Sequence, residues 1–177
     1  KLKYHTARSI LLKILKFIKD NGYTNEKCSI HINISFDEET EKSIEKINKL
    51  KMILDVDEDF IYSYFPERQN SFYAKSVKRV IPFKQYNYSN DAAMIVQSNL
   101  KLPENDRYYG INFLSLDDGR LEFRYLGGEN YEDKTTGILD LLDYFVVLSW
   151  NSIDATLNKD DMEKLENYLN IDLSIWK

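Results

Sequence analysis

The chain has one cysteine, Cys28, and two histidines, His5 and His31, among 177 residues. A lone thiol cannot build an internal disulfide framework, and this set excludes both a cysteine-rich zinc site and a three-histidine metal centre. Long apolar runs are missing as well. The most apolar stretch, "GILDLLDYFVVLSW", is too short to span a bilayer and carries two aspartates. Basic charge is in deficit: 24 Lys and Arg stand against 29 Asp and Glu, a net charge of -5. Nothing in that balance draws the whole domain to nucleic acid or to an anionic membrane, so neither partner is expected. The chain contains no Walker-type Gly-Lys-Ser/Thr loop, no G-x-G-x-x-G and no nucleophile elbow. With no signal peptide in view, a reducing, cytoplasmic compartment is expected. Because Lys1 and not Met opens the chain, we expect a processed product or a piece of a longer protein.

What is present is enough apolar residue, 43%, to bury one core, and a single domain over residues 1–177 is expected. "TARSILLKILKFIKDNG" sets Ile10, Leu11, Ile14, Leu15 and Ile18 on one helical stripe ending at Asn21-Gly22. "DEETEKSIEKINKLKMIL" repeats Ile44, Ile47, Leu50 and Leu54 at helical spacing and predicts a surface helix. "DEDFIYSYFPERQNSFYA" predicts a helix end and a loop broken by Pro66, with a short strand near Val80–Ile81. A short helix is expected in "SNDAAMIVQSNL", a long one from about residue 131 to 153, and a last one in "KDDMEKLENYL".

Strands announce themselves by alternation. In "CSIHINISF", Cys28, Ile30, Ile32 and Ile34 share one face, and Ser29, His31, Asn33 and Ser35 the other. "RYYGINFLSLDDGRLEFRYLGG" holds two alternating runs about Asp117-Asp118-Gly119, a β-hairpin ending at Gly127-Gly128. The order of elements defines an α+β domain whose largely antiparallel sheet is packed by helices on one face.

If these strands share a sheet, His31, Asn33, Asn112, Glu122 and Arg124 converge on its open side. Alternating polar residues also describe a merely solvated face, and the pattern leaves both readings open. Arg68 and Asn70 follow Pro66, where a guanidinium fork can meet phosphate or carboxylate or simply face water. Arg107, just ahead of the hairpin, stands in the same position. Cys28, on the apolar face, is expected in the core, and "DVDED" is expected to be a solvated acidic patch.

Taken in order, "CSIHINIS", "YFPERQNSFY", "RYYGINF", "GRLEFRYLGG" and the long apolar helix resemble the amidoligase family, over about Cys28 to Ser152. That family shares the carboxylate–amine ligase fold of glutamine synthetase. The resemblance implies an ATP- and magnesium-dependent ligase that joins a carboxylate to an amine of an amino acid, peptide or protein through an acyl phosphate. It implies Glu122 and His31 as metal contacts, Arg68 and Arg124 as catalytic phosphate contacts, and Asn70, Arg107 and Asn112 as further nucleotide contacts. Two features depart from the family pattern. Asn33 replaces the second His of a His-x-His strand, and no Glu-x-Glu strand precedes Cys28, so the fold is expected to lack its first strand or to carry it upstream. The alternative expectation is an inactive ligase-fold domain serving in a larger protein assembly. The Lys-, Asn-, Ile- and Tyr-rich composition fits an AT-rich genome. Together with the family's occurrence in viral genomes, the resemblance implies a bacteriophage particle as that assembly, with the protein expected in the virion.

Overall fold

A computed structural model describes residues 2–36, 43–80 and 108–169. Arg107, the helix expected in "SNDAAMIVQSNL" and the tail "IDLSIWK" lie outside them. Among the described residues, five helices and a small antiparallel sheet give the α+β class expected. Helix α1 runs Tyr4–Asn21, α2 Lys49–Asp55, α3 Glu58–Tyr64, α4 Thr135–Ser152 and α5 Lys159–Leu169. The strands are β1 (Ser29–Ile34), β2 (Ile111–Asn112) and β3 (Leu121–Gly127), in the spatial order β1-β3-β2.

The hairpin forms where Asp117-Asp118-Gly119 placed it, with Ile111 opposite Phe123 and Asn112 opposite Glu122. Its turn is wide, because the first strand is only two residues long. Gly119 takes φ +69 and donates its N–H to the Leu116 carbonyl at 2.8 Å, a backbone conformation that favours glycine. At Gly110 the constraint is space: a Cβ there would lie 2.0 Å from the Tyr125 ring, which covers the bare backbone.

The apolar face of the sheet carries Ile32, Ile34, Leu121, Phe123 and Tyr125, all buried. It packs on α4, where the Phe123 and Phe145 rings stack at 4.1 Å and 9°. Each such side chain contributes about 1.5–3 kcal/mol by leaving water, and these five join one core cluster with the buried faces of the helices. Helix α2 is buried too, through Leu50, Met52, Ile53 and Leu54.

Three expectations change. The surface helix of "DEETEKSIEKINKLKMIL" is broken, within its described part, into a short 3-10 turn, Ile44–Lys46, and α2. Ile47 leaves the helix to bridge Ile153, and the Asn48 side chain accepts the Lys51 N–H at 3.1 Å to start α2 afresh. Of the strand expected near Val80–Ile81, Val80 ends a 3-10 turn, Val77–Val80, and Ile81 lies outside the described residues. In α1 the five-residue stripe turns inward only in part, with Leu11 and Ile18 half-buried. Only Leu15 is buried, while Ile10 and Ile14 stay exposed, because the helix leans on the domain along one edge.

Candidate functional site

The other face of the sheet is polar, and its register explains what meets there. Glu122 lies on the central strand between Asn33 of β1 and Asn112 of β2, a row of three residues across the sheet. One step along, the β1–β3 pairing slips between Ile30 and Ile32, so that Arg124 and Tyr125 of β3 together face His31. Such a bulge turns neighbouring side chains away from strict alternation. On β3 the alternation holds through half-buried Arg124 and buried Tyr125 and breaks just after them, where Leu126 is buried next to Tyr125.

Glu122 is the hub. Its Oε1 meets His31 Nδ1 at 2.9 Å, and its Oε2 accepts from Asn112 Nδ2 at 2.6 Å and from Arg124 at 3.2 Å. Burial alone would push the carboxyl pKa up. The Asn112 hydrogen bond and the charges of Arg124 and His31 outweigh that and hold it below the ordinary value, so Glu122 is ionised. His31 moves the other way from what a carboxylate neighbour suggests. Burial and the Arg124 charge hold it below its ordinary value of 6.5 against the pull of Glu122. The imidazole is thus neutral at pH 7, with its proton on Nδ1 toward Glu122 and the Nε2 lone pair outward, 3.4 Å from Ser29 Oγ. Ser29 belongs to the same alternating face, and the two-residue spacing from His31 was the signal for it.

Arg68 stands beside this cluster but is occupied. The 3-10 turn Pro66–Arg68 buries the side chain to 5% exposure. Its Nε donates to the Tyr125 carbonyl at 3.3 Å and a terminal nitrogen to the Arg124 carbonyl at 3.0 Å. The guanidinium fork therefore holds two consecutive carbonyls at the bulge, and its charge acts on His31 only through space. Asn70 lies in the turn that follows, exposed and apart from the cluster. The structure thus brings together His31, Asn112, Glu122 and Arg124, sets Arg68 behind them and leaves Asn70 outside. Arg124 Nε is buried and has no hydrogen-bond partner among the described residues, a donor left over within an otherwise satisfied network.

"DVDED" is the solvated patch expected only in part, since Asp57 and Asp59 are exposed but Glu58 is not. Glu58 is buried, and its carboxylate accepts from Tyr125 Oη at 2.7 Å, Val77 N–H at 3.0 Å and the Ser76 hydroxyl. Cys28, expected in the core, is only partly buried. Among the described residues no three His, Cys, Asp or Glu side chains are grouped to share a metal ion, and no helix is long and apolar enough to cross a membrane. No family model, curated protein or solved structure matches this chain.

Proposed function

We propose that the polar face of the sheet is the working surface of a carboxylate–amine ligase, ATP- and magnesium-dependent, acting on an amino acid, peptide or protein. One observation carries the reading. His31, Asn112, Glu122 and Arg124, drawn from three separate strands, form one hydrogen-bonded cluster on the open face. Magnesium is commonly held by one or two carboxylates together with waters and substrate phosphates. Glu122 fits that role: His31 takes one lone pair of Oε1, and the other remains for a metal. ATP, when bound, supplies the phosphoryl group that activates a carboxylate toward an amine. The chain's own contribution is then electrostatic. Arg124 faces negative charge with a guanidinium already oriented by Glu122, and neutral His31 offers Nε2 as a proton acceptor for an incoming ammonium group. Arg68 acts one step back, fixing the bulge that aims Arg124.

The test is a thermal shift with magnesium and ATP, followed by ATP hydrolysis stimulated by an amine and a carboxylate. Both responses are expected in the wild-type chain and lost in Glu122→Gln and Arg124→Ala. A wild-type chain that melts at the same temperature with and without magnesium-ATP ends the enzyme reading.

A second reading has its own support, an inactive ligase-fold domain that serves as a structural component of a larger assembly, such as a bacteriophage particle. Glu122 is the one carboxylate of the cluster, and the Arg68 fork is spent on backbone carbonyls. This reading expects no nucleotide response, and a protein partner that covers the polar face.

A further inference from the structure

We propose that α1 joins two copies of this chain, packed antiparallel along the exposed side of the helix. The helix touches its own domain by one edge: Leu15 is buried, Arg8 pairs with Asp143 at 2.8 Å and Lys19 with Asp133 at 2.7 Å. Away from that edge Ile10, Ile14 and Phe17 are 37%, 49% and 66% exposed. Single exposed apolar residues are ordinary, but these are not scattered. Ala7, Ile10, Ile14, Phe17 and Asn21 follow one another at alternating spacings of three and four, the seam of two packed helices. Leu11 and Ile18, half-buried beside the seam, continue it toward the core.

Charge selects the occupant. Of the cations on α1, Arg8 and Lys19 are neutralised as above, and Lys16 pairs with Asp20 at 2.8 Å. Lys13 is the helix cation without an ion pair among the described residues, and it flanks the seam. With most of its positive charge spent internally and the whole chain at -5, α1 has little to offer an anionic lipid surface. A second α1 laid antiparallel sets Ile14 against the second copy's Phe17, twice by symmetry, and brings Lys13 beside the second copy's Asp20. A parallel pair would instead set Lys3 on Lys3 and give Lys13 only an isoleucine for company. The seam is short and the contact smaller than a standard interface of about 800 Å² per partner, so the dimer is weak, with Kd on the order of tens of micromolar.

Sedimentation velocity of the intact chain from about 5 to 500 µM, a range that spans such a Kd, tests this. The wild type is expected to pass from monomer to dimer over that range. The double variant Ile14→Lys, Phe17→Lys should stay monomeric with an unchanged melting temperature, since both positions are exposed. Lys13→Glu and Asp20→Lys should each weaken the dimer about threefold, and their combination should restore it. A wild type that is monomeric throughout, or a double variant that still dimerises, overturns the proposal. Failure of the charge swap to restore overturns the antiparallel pairing. Binding of wild type to anionic vesicles without self-association, lost in the double variant, would make the occupant a membrane and overturn it as well.

Discussion

Two carboxylates of this molecule accept three donors each, and they do opposite things. Glu58 is enclosed by neutral donors, the Tyr125 hydroxyl, the Ser76 hydroxyl and the Val77 N–H, and ties α3 and the 76–77 segment to the central strand. Glu122 has a guanidinium and an imidazole among its donors and sits on the open face. A buried carboxylate satisfied by neutral hydrogen bonds has every lone pair committed to holding segments together. A carboxylate balanced by charges that can regroup has something left to offer a ligand. Satisfaction of hydrogen bonds therefore does not separate structural from working groups here; the kind of donor and the openness of the face do.

The comparison breaks most easily at Glu58. Glu58→Ala is expected to cost about 3 kcal/mol in urea unfolding, because it leaves the Tyr125 hydroxyl and the Val77 N–H buried without an acceptor. If it costs no more than Glu122→Ala, the two carboxylates are not different in kind. Next comes Arg68. Arg68→Lys cannot fork onto two carbonyls and is expected to lose about 2 kcal/mol, with the shift of the midpoint as readout. An Arg68→Lys variant as stable as wild type would release Arg68 from the structural role and return it to ligand binding.

Glu122→Gln should lose only about 1 kcal/mol, since a side chain amide still accepts at one oxygen, while nucleotide response is abolished. Large destabilisation with an intact response would invert the assignment. The smallest expected effect is in pH. His31 has a folded pKa below 6.5, so the unfolded chain binds the proton first. Its contribution is fully present above pH 6.5 and is lost as the pH falls toward the folded value. Glu122, lowered from 4.5, adds a loss in the same direction at lower pH. Wild type should therefore weaken between pH 7.5 and about 5.5, and His31→Gln should flatten that upper part of the curve. An unaltered slope in the variant would assign the proton to another group.

How far the sequence carried these conclusions differs by element. Asp117-Asp118-Gly119 between alternating runs located the hairpin, and the period of two put His31, Glu122, Arg124 and Asn112 on a common face. Periodicity reports which side chains share a face, and a sheet with one strongly apolar face has little choice of which to bury. It does not report what covers a helix. The stripe of α1 looked like core, yet Leu15 is its one buried member and Leu11 packs half-buried against the core, since the neighbours that would cover Ile10 and Ile14 are a property of the packing. Arg68 and Glu58 were illegible for a related reason. Both looked like surface charges, and their burial depends on acceptors and donors far along the chain, the Arg124 and Tyr125 carbonyls and the Tyr125 hydroxyl. The bulge that frees those carbonyls follows from one slipped residue, a register detail that alternation alone does not reveal.

The ring of Tyr125 lying on Gly110 carries a consequence for recognising kin. Position 110 has room for a side chain only when position 125 has given up its ring, so the two are expected to change together across any lineage. A candidate relative that keeps an aromatic residue three places after the glutamate of "EFR" while bearing a side chain two places before the asparagine of "GIN" cannot close the sheet in this way. That linked pair, separated by fifteen positions and set by contact rather than by chemistry, is a sieve that short motifs do not provide.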